Sequence, residues 1–369
     1  MKAIGIILAG GKNERLGRLT DVRATSAMPV GSCYRAIDFS LSNMSNSGIK
    51  KVAVITQFNS RSLHDHLNSP KWWDFGTKRG GLFVLSPFQS KEEGFWFRGT
   101  ADSMYQNMAY LERSSEEIVV IASGDGVYKM DYNKVIEAHI ESGADVTVVC
   151  KILENMDLRH FGVLSLGENG RIVDFQEKPE MPQSNTISLG IYVIRRKLLM
   201  EMLEQAFSED RYDFVKEMLV ANIHNLHMHG YMFNEYWSAI NTIESYFNIN
   251  MDFLRPDVRE HFYNEEPYIE TKNKDEPPAK YGEMSSVRNS LIGSGSVING
   301  DVRCSVLFRR VRVSSGARVR RSILMEGCKI GANCCLENVI LDKNVVISKN
   351  TTILGGDGPP KIVMRDEIY

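Results

Sequence analysis

Apolar residues fall in short runs through the first 250 positions and in a regular beat near the C-terminus. The runs Ala3–Leu8, Lys51–Thr56, Ile118–Ala122, Asp145–Lys151 and Leu189–Ile194 are rich in Val and Ile and lack an alternating polar face. Strands covered on both sides have that pattern. Between them, Met104, Met108 and Leu111 recur at helical spacing within Thr100–Arg113, and Tyr132–Ser142 reads as a second helix. Strands alternating with helices predict an α/β domain over residues 1–250, built on a doubly wound, mostly parallel sheet. Residues 251–284 are charged and Pro-containing and read as a linker.

From residue 285 to 369 the beat has a period of 17. Val313, Ile330 and Ile347 form one series; Val319, Leu336 and Ile353 form another; Val306, Ile323 and Ile340 form a third, with Leu307, Leu324 and Leu341 beside it. Gly316, Asn333 and Asn350 fall at matching turn positions, where a left-handed backbone is cheapest for Gly or Asn. A unit this short cannot hold two helices, so the pattern predicts a β-solenoid whose coils bury their apolar residues against one another. Gly355-Gly356-Asp357-Gly358-Pro359-Pro360 breaks the series, and Lys361–Met364 could add a last short strand.

Composition narrows the function classes. Of the 369 residues 43% are hydrophobic and 24% charged, which is ordinary for a globular protein of about two domains. Lys plus Arg (44) nearly balance Asp plus Glu (46), so no field favours nucleic acid. No apolar run approaches the ~20 residues that span a bilayer. The N-terminal run leads straight into a charged glycine loop, unlike a signal peptide. Six cysteines show no C-x-x-C spacing, and reduced thiols in a cytoplasm are the expectation.

The candidate chemistry begins at Ala9-Gly10-Gly11-Lys12-Asn13-Glu14-Arg15-Leu16-Gly17. Glycines directly after a strand let backbone N–H groups approach a phosphate, and Lys12 and Arg15 add charge to neutralise it. The loop is neither G-x-G-x-x-G nor G-x-x-x-x-G-K-[ST], so the two standard nucleotide fingerprints are absent. It does resemble the signature loop of the sugar-nucleotide nucleotidyltransferases. Further segments narrow the resemblance: Tyr34–Asn43, Arg98–Asp102, Ser123-Gly124-Asp125 running on to Tyr132, Phe175–Pro179 and Thr242–Tyr246. In this order they resemble the ADP-glucose pyrophosphorylase (glucose-1-phosphate adenylyltransferase) family of glycogen biosynthesis. The resemblance implies a C-terminal left-handed parallel β-helix and attack of glucose 1-phosphate on the α-phosphorus of ATP. It also implies roles by position. Gly10, Gly11 and Arg15 would hold nucleotide phosphates, Gln57 would lie near adenine, and Gly99 beside base and ribose. Glu177 and Lys178 would meet the sugar and its phosphate, Ser188 and Gly190 would line the sugar pocket, and Asp125 would carry Mg²⁺.

Several positions depart from the resembled motifs. A late Trp-Arg-Asp-x-Gly-Thr motif, which supplies the second metal carboxylate, reads Trp237-Ser238-Ala239-Ile240-Asn241-Thr242. Ala239 therefore stands in place of an aspartate. In Arg23-Ala24-Thr25-Ser26-Ala27, Thr25 stands in place of a phosphate-facing lysine. Asn13 replaces a glycine of the signature loop, and Gly126 follows Asp125 where histidine is usual. Alanine cannot ligate magnesium and threonine cannot neutralise phosphate, so each loss removes transition-state stabilisation. No intact catalytic set is expected, with Asp125 and Arg15 vestigial and Mg²⁺ weak or absent.

This pattern resembles the D-type regulatory subunit of bacterial glycogen synthesis, which activates a catalytic paralogue in a hetero-tetramer. Two other readings stand beside it: an active nucleotidyltransferase, or a sugar-phosphate sensor or scaffold. ATP, ADP-glucose, glucose 1-phosphate or an anionic effector are the expected ligands, and self-association the alternative to a hetero-oligomer. Acyl transfer by the solenoid is disfavoured, because the last histidine is His261 and the region lacks the usual base. Arg309, Arg310, Arg312, Arg318, Arg320 and Arg321 read as a solvated face, or else as an anion site.

Overall fold

The computed structural model describes residues 2–76, 80–88, 96–154, 156–365 and 367. Contacts divide the chain into two compact units. One comprises Met1–Gly11 with Ser40–Tyr236, the other Lys12–Phe39 with Trp237–Tyr369. The division thus follows a line other than the 250 and 284 boundaries read from composition, and it sends residues 12–39 with the C-terminal part.

The first unit is built on a nine-stranded sheet. Its central strand Ala3–Leu8 pairs in parallel with Lys51–Ile55 and with Ile118–Ser123, and Lys51–Ile55 pairs in parallel with Gly81–Leu85. The ten-residue strand Thr186–Arg195 runs against Ile118–Ser123, Val146–Ile152 and Gly162–Leu166. Met228–Met232 lies parallel to Val146–Ile152, and Ile172–Glu177 antiparallel to Gly162–Leu166. The sheet is therefore mixed but mostly parallel, with only Thr186–Arg195 and Ile172–Glu177 opposing the rest. Ile4, Val119, Ile121, Val146 and Val148 are at most 2% exposed, as unbroken apolar strands require.

Helix Tyr132–Ser142 forms with the expected limits; Asp131 caps it by accepting from the Asn133 N–H. The stretch Thr100–Arg113 instead forms two helices, Thr100–Tyr105 and Met108–Glu112. The break falls at Gln106–Asn107, where the Asn107 side chain donates to the Ser103 carbonyl. Such side-chain bonding competes with helix continuation. Helix Ala36–Asn46 is mostly buried, and beside the apolar Ile37, Leu41 and Met44 it hides the polar Ser40, Ser42 and Asn43.

In the second unit three five-stranded parallel sheets form the solenoid. Arg312–Val313, Lys329–Ile330 and Val346–Ile347 stack in register, as do Arg318–Arg320, Cys335–Glu337 and Thr352–Leu354. These partners keep the period of 17. One earlier coil is shorter by two, so that Ser286 pairs with Asp301 and Leu291 with Val306. The buried columns include Ile298, Val313, Ile330 and Ile347, and Val302, Val319, Leu336 and Ile353. Gly316, Asn333 and Asn350 all have positive φ, at 73°, 59° and 62°. A second corner carries a serine ladder. Ser305 N–H donates to the Ser290 hydroxyl at 3.2 Å, Ser322 N–H to Ser305 at 3.1 Å and Val339 N–H to Ser322 at 3.3 Å. Each hydroxyl thereby satisfies a corner amide that turns out of the sheets. Lys361–Val363 adds the last strand to one sheet.

The stretch read as a linker contains the helix Pro256–Tyr263, started by a proline at its first turn. Its Val258 and Phe262 are buried, with Phe262 stacked on Phe253 and edge-on to Phe39. No helix among the described residues is long and apolar enough to cross a membrane.

Candidate functional site

In the first unit the strand Ala3–Leu8 delivers Gly10 against the next strand's end. A Cβ added to Gly10 would lie 3.2 Å from the Gln57 backbone nitrogen, a tight contact that glycine avoids. Gly11 is exposed. The Gln57 side chain, expected near adenine, bonds the Phe97 backbone: its Oε1 accepts from the Phe97 N–H at 2.6 Å, and its Nε2 donates to the Phe97 carbonyl at 3.2 Å. The amide pins the strand end to the segment leading into Gly99. Gly99 itself lies so close to the Tyr212 carbonyl that no Cβ fits there. That carbonyl accepts from the Ala101 and Asp102 N–H groups, at 2.8 and 3.2 Å.

Asp125 sits in the turn after strand Ile118–Ser123, and the Ser123 hydroxyl donates to its Oδ1 at 2.5 Å. Burial pushes the carboxyl pKa up; the Ser123 hydrogen bond and the charge of Lys178 act the other way. The turn is held from helix Ala36–Asn46. The Ser40 hydroxyl donates to the Ser123 carbonyl at 2.8 Å. Asn43 donates to the Tyr128 carbonyl and accepts from the Met130 N–H, both at 3.1 Å. Just past the helix, Ser47 accepts from the Tyr132 N–H at 2.8 Å. The spacing 40, 43, 47 aligns all three on one helical face. The polar residues of the Tyr34–Asn43 motif therefore position the Asp125 turn, a role its sequence did not disclose.

The sugar-side residues converge on the same turn. Glu177 and Lys178 form an ion pair at 2.8 Å. Lys178 has a φ of 49° and donates its N–H to the Phe161 carbonyl. Strand Thr186–Arg195 breaks register between Ser188 and Tyr192, and Gly190 there has a φ of 70°. Its missing Cβ would lie 3.4 Å from that of Ser123. The Ser188 hydroxyl bonds Tyr192 at 3.2 Å and accepts from the Gly190 N–H at 3.3 Å. Asp125, Ser123, Lys178 and Gly190 are thus brought together by separate stretches of sheet.

Arg15, Thr25 and Ala239 belong to the second unit. Arg15 is exposed in the 3-10 turn Glu14–Thr20. Asn13 accepts from the Arg15 N–H at 3.2 Å and donates to the Ile240 and Asn241 carbonyls at 3.2 and 3.1 Å. Thr25 is buried and its hydroxyl has no partner. Ala239 ends the short strand Trp237–Ala239, and beyond it Thr242 and Ser245 form a capping box for helix Ile243–Asp252. Among the described residues, no three His, Cys, Asp or Glu side chains gather as a metal-holding group.

One charged centre escaped sequence reasoning. Arg23 and Asp342 pair at 2.5 Å with side chains 4% and 6% exposed. Next to Asp342, burial and the charges of Arg35 and Arg23 push the Lys343 ammonium down to about 8. Burial opposes ionisation of Glu326, but Lys274 and Arg310, at 2.8 and 2.5 Å, outweigh it and hold the carboxyl at about 2. The only sequence sign was Asp342-Lys343 interrupting the apolar run Val339–Leu341. The arginines at 312, 318 and 320 are exposed, alternating with buried Val313 and Val319, as a solvated face requires.

The family model described as nucleotidyl transferase matches residues 4–255, and the GlmU-like, C-terminal hexapeptide model matches residues 277–358. Over 355 residues, covering 95% of this chain and 94% of each relative, the sequence is 39% identical to proteins named glucose-1-phosphate adenylyltransferase. Among them are those of Bacillus thuringiensis subsp. konkukian, Bacillus anthracis and Bacillus mycoides.

Proposed function

The chain belongs to the glucose-1-phosphate adenylyltransferase family, and we propose that within it the chain is a regulatory, catalytically impaired subunit that activates a catalytic paralogue in glycogen biosynthesis. The observation that carries this reading is the methyl group at Ala239, where the resembled motif places a metal carboxylate. Asp125 is left as the single carboxylate of the motif pair, and burial disfavours its ionised form. This donor set does not fit a magnesium ion held by two carboxylates, so Mg²⁺ is expected to bind weakly if at all. Thr25 adds to the deficit. A buried hydroxyl without a partner cannot replace the charge of a lysine facing phosphate.

What the remaining residues can do is bind. Glu177, Lys178, Ser188 and Gly190 offer a sugar hydroxyl an acceptor and a sugar phosphate a cation. ATP, ADP-glucose and glucose 1-phosphate are the ligands to test. An anionic effector is a further ligand to test, at the half-buried Lys343. Activation would come from subunit contacts that bias the catalytic partner, in a hetero-tetramer, toward its active state. Self-association is the alternative assembly. The test is ADP-glucose synthesis by the purified chain alone and after mixing with the catalytic paralogue. Negligible synthesis alone and a rise in the partner's rate are expected; robust synthesis alone, or no effect on the partner, overturns the proposal.

A second reading, an active nucleotidyltransferase, draws on the intact Asp125 and Glu177–Lys178. On that reading, Ala239→Asp with Thr25→Lys would leave the rate nearly unchanged.

A further inference from the structure

The carboxamide of Asn13 is fully employed within the second unit. Its oxygen accepts from the Arg15 N–H at 3.2 Å. Its nitrogen donates to two consecutive carbonyls, Ile240 at 3.2 Å and Asn241 at 3.1 Å. The Asn13 carbonyl also accepts from the Thr20 hydroxyl at 3.0 Å and from the Leu16 N–H at 3.4 Å. Side chain and backbone together fold residues 13–20 onto themselves and tie them to the backbone that follows Ala239. Glycine at position 13 could make none of the three side-chain bonds.

We infer that Asn13 is a built-in occupant of the phosphate loop: its carboxamide oxygen takes the Arg15 N–H that a phosphate oxygen would take, while its nitrogen straps the loop to Ile240 and Asn241. This deepens the regulatory reading and rests on the expectation that Arg15 meets the nucleotide phosphates. The physical argument is competition. A polyphosphate would have to displace one hydrogen bond and adapt a loop that two more hold in place, and both requirements weaken its binding. Ala239 and Thr25 would then account for lost chemistry, and Asn13 for lost nucleotide affinity.

The test uses the full chain and two readouts that need neither turnover nor a partner subunit. Amide exchange at Arg15 reports the capping bond, and calorimetry with inorganic tripolyphosphate reports access to the loop. In Asn13→Gly the Arg15 amide should exchange at least tenfold faster, and tripolyphosphate should bind at least fivefold more tightly than to the unaltered chain. Asn13→Asp keeps an acceptor for Arg15 but adds negative charge; its Arg15 amide should stay protected and its affinity should not rise. Unchanged exchange in Asn13→Gly, equal affinities, or binding to neither protein overturns the inference. Robust ADP-glucose synthesis by the unaltered chain would sink the regulatory reading by a separate measurement and leave the exchange result standing.

Discussion

The first unit keeps the residues that the sugar-nucleotide motifs ask of it, with Gly126 its one departure. Gly10, Gly11, Gln57, Gly99, Asp125, Glu177, Lys178, Ser188 and Gly190 all lie there. The second unit holds Asn13, Thr25, Ser238, Ala239 and Asn241, all of them departures. The division is not complete: the second unit also keeps Arg15, Tyr34–Phe39 and Thr242–Tyr246, and the first keeps Asp125 of the metal pair. The difference also shows in bonding. In the first unit buried polar groups support the Asp125 turn through Ser40, Asn43 and Ser123. In the second, Thr25 is buried with nothing to bond, and Asn13 spends its side chain on the Arg15 N–H and the Ile240 and Asn241 carbonyls.

The largest expected effect tests whether residues 12–39 depend on the solenoid for their order. Asp342→Ala leaves the Arg23 guanidinium buried and unpaired, which should cost about 3–5 kcal/mol in urea unfolding. Replacing both residues by apolar ones of similar volume should recover most of that loss. If the single change costs nothing, residues 12–39 are held by other means and the grouping of departures loses its structural basis.

Next, Asn43→Ala removes both the donor to Tyr128 and the acceptor for Met130 at buried sites. A loss of about 2–4 kcal/mol is expected. A comparable loss is expected from acid, through His139 in the first unit. Burial holds its pKa down at about 4, and its Nδ1 bonds Thr147 at 2.9 Å. Between pH 6.5 and 4 the unfolded chain binds the proton and the folded chain does not. Stability should therefore fall as pH falls through that window, by about 2–3 kcal/mol. His139→Gln should flatten this slope in urea titrations at successive pH values.

The smallest effect is the most pointed. Thr25→Val replaces a hydroxyl that has no partner, so stability should hold or rise slightly, within about 0.5 kcal/mol. A loss above about 1.5 kcal/mol would mean that the hydroxyl is bonded and position 25 is still in use.

How much was legible depended on where the signal lay. Apolar runs marked Ala3–Leu8, Lys51–Ile55 and Ile118–Ser123 because strands buried on both faces have no other composition. The repeat at 17 marked the solenoid because each coil must present the same residues to the next. Of Thr186–Arg195 only Leu189–Ile194 was visible, since the polar Thr186 and Ser188 precede the apolar run. Helix Ala36–Asn46 was not read from the sequence although Ile37, Leu41 and Met44 recur at helical spacing and are fully buried; what the pattern could not disclose is that its polar residues bond the Asp125 turn. Residues 12–39 carry no local mark of their attachment to the C-terminal unit, because the Arg23–Asp342 pair joins positions more than 300 apart. Motif order singled out Glu177, Lys178, Ser188 and Gly190 without local pattern, but it did not disclose that the Gln57 amide bonds the Phe97 backbone.

The central claim is that methyl at 239 and hydroxyl at 25 removed chemistry from a fold otherwise kept. It is tested most directly by the initial rate of ADP-glucose formation from ATP and glucose 1-phosphate, comparing the unaltered chain with the Ala239→Asp, Thr25→Lys double variant. The account predicts a barely measurable rate for the first and a gain on the order of a hundredfold or more for the second. A robust rate in the unaltered chain, with no gain in the variant, would contradict it.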